Sequence, residues 1–245
     1  MTTTKANIIA RLQKEIDPLQ GFKSASKNIA LDTGLGAIKY AFPNATFPIA
    51  AVHEFITTQP EDLAATKGFL STILASLMRN NSASIWISNA KNIFPPALEG
   101  YGITPDRIIF IQLQKEKDIL WVMEEALKCE GLAAVIAEMK ELSFTDSRRL
   151  QLAVEKSHVT GFILRQNPRN INTTACVTRW KITSLPGDIQ EGTPGVGFPQ
   201  WQVALLKVRN GKPGSWHVAF IAGQLKHLTL PAAAVISFEQ KKKAG

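Results

Sequence analysis

The chain has 245 residues, 45% hydrophobic and 20% charged, with 28 Lys and Arg against 20 Asp and Glu and a net charge of +8. That is too apolar for a disordered chain and long enough for one sizeable core, while its longest apolar runs, such as 132–137, are far short of a membrane span. The amino terminus, Met1-Thr2-Thr3-Thr4-Lys5, lacks the apolar stretch of a secretory signal, so a cytoplasmic location is expected.

Residues 4–17 read as an amphipathic helix with Ile8, Ile9, Leu12 and Ile16 on one face, followed by a polar connector through Gly34, Gly36 and Pro43. Residues 51–57 read as a buried strand, and 62–79 as a helix with Leu63, Leu70, Ile73, Leu74 and Leu77 in period. Strands follow at 84–88 and 108–112, then a helix over 119–129 and a continuously apolar strand over 132–137. A helix over 145–156, opened by Ser143, leads to a strand over 161–164. This alternation predicts an α/β fold with a mainly parallel sheet flanked by helices. Beyond residue 165 a strand over 177–183 and an alternating pair, 201–206 and 216–220, predict an antiparallel hairpin extension across the turn sequence Asn210-Gly211-Lys212-Pro213-Gly214. A Gly- and Pro-rich loop spans 186–199, and the chain ends in Lys241-Lys242-Lys243. The domain layout expected is 1–47 for the helix and connector, 48–235 for the core with its hairpin, and 236–245 for a basic tail. All of the surplus charge lies in residues 165–245, which carry 11 basic and 3 acidic side chains. Such asymmetry points to a nucleic acid or another anionic partner.

The connection between the first strand and helix is where a phosphate-binding loop belongs, with glycines freeing backbone N–H groups and a lysine reaching the terminal phosphates. Here it reads Thr58-Gln59-Pro60-Glu61-Asp62, with no glycine, and the pair Lys67-Gly68 is reversed and lies inside the helix. Thr58 and Glu61 have capping-box spacing and Pro60 sits in the first turn. Glu61 and Asp62 put negative charge at the positive end of the helix dipole, where a phosphate would be repelled. The segment reads as a structural cap, so no cofactor is expected. The two cysteines, Cys129 and Cys176, are expected to be reduced and packed; the four histidines, His53, His158, His217 and His227, have no ligand spacing, so no metal is expected.

The runs Trp86-Ile87-Ser88-Asn89, Phe94-Pro95-Pro96-Ala97-Leu98-Glu99-Gly100-Tyr101-Gly102-Ile103 and Asp118-Ile119-Leu120-Trp121-Val122-Met123-Glu124-Glu125-Ala126-Leu127 resemble segments of ImuA-type error-prone repair proteins. So do Leu132-Ala133-Ala134-Val135-Ile136-Ala137-Glu138, Ser147-Arg148-Arg149-Leu150-Gln151-Leu152-Ala153 and Thr178-Arg179-Trp180, and the resemblance covers about 48–222. That family is distantly related to the RecA recombinase and the SulA division inhibitor, which implies a RecA-like core. Relative to RecA, the carboxylate expected beyond the second strand is missing among Ser88, Asn89, Ala90 and Lys91. Glu138 falls where a metal-side acid would end the fourth strand, although a solvated strand end is an equal reading, and Gln166 falls where a nucleotide-sensing glutamine would end the fifth. The resemblance implies a non-catalytic accessory protein of SOS-induced mutagenic translesion synthesis. Its implied partners are an ImuB-like polymerase-related protein, an error-prone replicative-type DNA polymerase and RecA. A DNA-dependent ATPase with an atypical phosphate loop and a SulA-like division inhibitor are the alternatives.

The RecA-like pattern puts a DNA-contacting loop at 167–174, flanked by Arg165 and Arg179 and containing Arg169; Lys207, Arg209 and Lys212 on the hairpin extend that surface. Weak, salt-sensitive DNA binding is the expectation for these six cations, with a charged, solvated edge as the plainer reading. Arg148 and Arg149 are neighbours on a helix and cannot share one face, so at least one points outward, as a partner anchor or as a salt bridge to Asp146 or Glu155. Trp121 reads as core more readily than as contact.

Overall fold

The computed structural model describes residues 33–79, 82–187 and 197–228. The expected helix at 4–17, the middle of the loop 186–199 and the tail 236–245 lie outside the described residues. Strand β1 (Val52–Thr57) enters helix α1 (Pro60–Leu77), followed by β2 (Ala83–Ser88), β3 (Ile108–Gln112), α2 (Glu116–Leu127), β4 (Leu132–Met139), α3 (Phe144–Ser157) and β5 (Thr160–Gln166). Four further strands follow: β6 (Thr178–Leu185), β7 (Gln200–Val208), β8 (Gly214–Ile221) and β9 (Gln224–His227).

The nine strands among the described residues form one sheet in the order β3-β2-β4-β5-β1-β6-β7-β8-β9. From β3 to β6 every neighbouring pair is parallel, and from β6 to β9 every pair is antiparallel. The mainly parallel sheet and the β7–β8 hairpin expected from the patterning are both present. Strand β9 was not legible in the pattern, because Gln224-Leu225-Lys226-His227 is short and largely exposed. It is paired to β8 by a two-residue turn in which Ala222 (φ 50°) and Gly223 (φ 76°) are both left-handed, the geometry that suits a tight hairpin.

Side chains alternate across the sheet and build two cores. On one face α1 packs Phe69, Leu70, Ile73 and Leu74 against Phe55, Trp86, Ile136, Phe162, Leu164 and Trp180. Leu35, Ile38, Phe42 and Phe47, from the segment before β1, join this same cluster, as does Trp201 of β7. On the other face α2 and α3 bring Ile119, Met123, Leu127, Leu150 and Val154 onto Val52, Ile87, Val135, Ala137 and Ile163. The central strands β1, β4 and β5 are buried on both faces; in β4 this appears as the continuous apolar run 132–137, whereas β1 and β5 carry the buried charges Glu54 and Arg165.

Local signals set the helix ends. Ser143 caps α3 as expected: its Oγ accepts from Asp146 N at 3.0 Å and donates to Asp146 Oδ2 at 2.5 Å, a contact worth about 1 kcal/mol. Asp146 is thereby taken by the cap, and no ion pair joins it to Arg148 among the described residues. The other end of α3 closes with His158 in the left-handed region (φ 64°), its N–H bonded to Val154 O.

Candidate functional site

The C-terminal ends of parallel strands are where α/β sheets bind ligands, and two polar clusters lie near that end of this sheet. Entry to α1 differs from the expected capping box. The cap position is Gln59, with extended backbone (φ −119°, ψ 146°) and no side-chain cap bond, while Pro60 takes the first helical position. The residue before a proline is driven to extended geometry, which moves the cap one residue past Thr58. Of the two acids expected at the helix mouth, Glu61 is exposed. Asp62 is buried, and its Oδ1 accepts from the Ser184 N–H of β6 at 3.0 Å. Asp62 therefore ties α1 to the sheet.

Beside this mouth, on the α1 face, lies Glu138 at the end of β4. It is 1% exposed, which overturns the reading as a solvated strand end. Its Oε1 accepts from Trp86 Nε1 at 2.8 Å and from the Lys67 ammonium at 2.9 Å; its Oε2 accepts from Asn92 Nδ2 at 3.2 Å and from Gln166 Nε2 at 2.5 Å. Lys67 also donates to Asn92 Oδ1 at 2.6 Å. Burial pulls the Lys67 ammonium below the ordinary lysine range, and the Glu138 charge and hydrogen bond pull the other way. A carboxylate has about four lone-pair positions, and all four of Glu138's are filled. Lys67, which reads from sequence only as half of a reversed motif, supplies the charge that keeps this acid buried.

On the opposite face, Glu54 sits in the middle of β1 at 0% exposure. Its Oε1 accepts from Arg165 Nη1 at 2.8 Å, and its Oε2 accepts from Arg179 Nε at 2.8 Å and Thr174 Oγ1 at 2.9 Å. Arg165, also 0% exposed, spends its remaining donors on Lys140 O, Asn172 Oδ1, Glu141 Oε2 and Asn170 O. Arg179 donates further to Asn172 O and Thr174 Oγ1. The two arginines thus fasten the 167–174 loop onto the sheet, and Arg165 offers no guanidinium to a phosphate.

The remaining cations expected on a DNA surface divide in two. Lys207 Nζ donates to Thr174 O at 2.7 Å and Arg209 Nη2 to Ala175 O at 3.2 Å, so both brace the segment after the loop. Arg169 and Lys212 are exposed. Among the described residues, their backbone N–H groups donate to Glu141 Oε1 and Ala41 O, and their side chains pair with no acid. Arg148 and Arg149 are half-exposed on α3; Arg149 reaches Glu124 of α2 at 2.5 Å and Arg148 reaches Glu155 at 3.9 Å. Trp121 on α2 is 63% exposed and not core, since the buried face of that helix is taken by Ile119, Met123, Ala126 and Leu127. Cys129 is exposed just beyond α2 and is not packed, whereas Cys176 is buried, with burial first and the Glu54 charge second pushing its thiol up to about 12.

Glu54 was missed from sequence, although an acid inside the strand 51–57 expected to be buried is itself a signal, because a buried charge requires a partner. Neither Thr174 nor Asn172 carries such a mark.

No protein-family model matches the chain. Protein ImuA of Caulobacter vibrioides is 32% identical over 198 residues, which is 76% of this chain and 81% of that protein. The chain belongs to the ImuA family. A shorter stretch of 114 residues is 27% identical to the cell division inhibitor SulA of Photorhabdus laumondii, covering 45% of this ImuA-family chain and 64% of that protein. Among solved structures, the RadB recombinase superposes with a TM-score of 0.58 at 12% identity, over 81% of this chain and all of that one, which establishes the RecA-like fold. Family and fold together make this a RecA-like protein of the DNA-damage response.

Proposed function

We propose that the chain is a non-catalytic, RecA-like accessory protein of SOS-induced mutagenic translesion synthesis. It works through contacts with an ImuB-like polymerase-related protein and an error-prone replicative-type DNA polymerase, with RecA and DNA as further contacts. The observation that carries the non-catalytic reading is the saturation of Glu138. To hold a magnesium ion or orient a water it would have to release one of its four donors, and releasing Lys67 would leave a half-buried ammonium without its counter-charge. The glycine-free entry to α1, with Glu61 at the positive end of the helix, supports the same reading. In favour of protein contacts stand the half-exposed Arg148 and Arg149 and the exposed Trp121 on the adjoining helix, residue types over-represented among interface hot spots.

Two assays test this. With magnesium, ATP and single-stranded DNA, the purified protein is expected to release phosphate no faster than its Glu138→Gln variant; turnover that Glu138→Gln abolishes would make it a DNA-dependent ATPase. In cells relying on the variant copy, Arg148→Glu with Arg149→Glu is expected to lose damage-induced mutagenesis while stability changes by no more than about 1 kcal/mol, because both ion pairs are exposed. Unchanged mutagenesis at unchanged stability would remove the arginines from the interface.

A further inference from the structure

Away from both polar clusters, a half-open cavity of about 560 Å³ lies beside the C-terminal half of α1. Three other parts of the chain close it: the segment Gly34–Lys39, the end of the turn before Gly102, and the β8–β9 hairpin. Its charge is one-sided. Lys39 and Arg79 line it, and no carboxylate does. Neither cation is matched by an acid among the described residues: the Lys39 ammonium lies 5.4 Å from the centre of the Tyr40 ring, and Arg79 makes only a 3.4 Å contact to Ser76 Oγ. Tyr101 adds ring surface, its hydroxyl lying against Gly68 of α1, which does not line the cavity. Ala75, Leu225 and Phe220 form the apolar part of the wall, Phe220 stacked on Tyr101 with ring centres 4.8 Å apart, and Thr72, Ser76 and Gln224 add uncharged polar side chains.

The cavity's volume falls within the range of small-molecule pockets, and its lining sets an apolar patch beside polar and cationic side chains. Two unmatched cations suit a ligand of charge near −2, and a phosphomonoester carries between −1.5 and −2 at pH 7, with its second ionisation near pH 6. The negative carbonyl end of α1 would repel an anion on its own, so Lys39 and Arg79 must carry the attraction. We propose that this cavity binds a small phosphomonoester bearing a planar ring, a molecule the size of a mononucleotide. The phosphate meets Lys39 and Arg79, and the ring lies against Phe220 and Leu225. The cavity shares no residue with the Lys67–Glu138 network, so a ligand here is separate from any ATP turnover.

Calorimetric titration of the full chain at low salt and in EDTA tests the site, with AMP, adenosine and inorganic phosphate as probes. AMP is expected to bind one to one, with adenosine and phosphate each at least tenfold weaker. Lys39→Gln and Arg79→Gln should each weaken AMP at least tenfold, and AMP affinity should drop as the pH is lowered below 6. Ala75→Trp, which fills the cavity without touching a charge, should abolish binding while the melting temperature is retained. Absence of saturable AMP binding, or binding that neither Lys39→Gln nor Arg79→Gln weakens, would overturn the proposal. Displacement of AMP by a 5′-phosphorylated oligonucleotide that binds more tightly would overturn it in favour of a DNA-end site.

Discussion

Arg165 has five N–H donors, and the fold provides each with an acceptor while removing the whole side chain from water. Breaking a buried pair by deleting one partner costs far more than the pair contributes, because the other charge is left behind. Arg165→Met is therefore expected to destabilise the protein by about 3–5 kcal/mol in urea denaturation. A variant of unchanged stability with weakened DNA binding would return Arg165 to the DNA surface instead. His53 is the second residue whose environment decides its chemistry. It is wholly buried; its Nε2–H donates to Pro48 O at 2.8 Å and its Nδ1 accepts from Thr178 Oγ1 at 2.7 Å, between the rings of Phe47 and Phe162. Burial holds it down to about 3, against 6.5 when exposed. Between those values the unfolded chain carries the extra proton, so this group costs nothing above pH 6.5 and destabilises the fold as pH falls. The slope is about 1.4 kcal/mol per pH unit. Denaturation from pH 7 to 4.5 should therefore be shallower in pH for His53→Gln than for the wild type; equal slopes would mean that His53 is not held neutral.

At the scale of elements, α1 shows how a helix position is settled by what it touches. Gly68 lies in its middle, where alanine would normally gain about 1 kcal/mol of helix propensity. A Cβ there would lie 2.6 Å from Tyr101 Oη and 2.9 Å from Trp201 Cζ2. Trp201 is 3% exposed and has no room to retreat, and overpacking costs about 1–3 kcal/mol. Gly68→Ala is thus expected to lower the melting temperature, and a rise would show that α1 and β7 are less closely packed. The pattern that makes α1 a helix was legible in Leu70, Ile73, Leu74 and Leu77; the reason for its glycine was not, because Tyr101 and Trp201 come from segments 33 and 133 residues away in sequence. The capping of α3 by Ser143 was readable because it is local, whereas the inward turn of Asp62 was not, because its partner is Ser184.

For the whole molecule, the basic last third does not translate into a basic surface in proportion. Of the six cations expected to face DNA, Arg165 is fully buried, while Arg179, Lys207 and Arg209 bind groups of the protein itself, which leaves Arg169 and Lys212 exposed, their side chains bonded to no group among the described residues. If single-stranded DNA binds there, Arg169→Gln with Lys212→Gln should make the dependence of log affinity on log salt shallower by about 1.4, at about 0.7 per contact. An unchanged slope in anisotropy titrations between 50 and 200 mM salt would move the contact elsewhere. Sequence alone determined the α/β alternation, the antiparallel extension and the family, because periodicity, turn residues and ordered short motifs are local properties of the chain. Only the tertiary structure decided which charges are available. Glu54, Arg165 and Arg179, like Lys67, Glu138 and Gln166, lie far apart in sequence and are brought together by strand order. A buried charge then takes whatever partner the neighbouring strand supplies, which no single segment encodes.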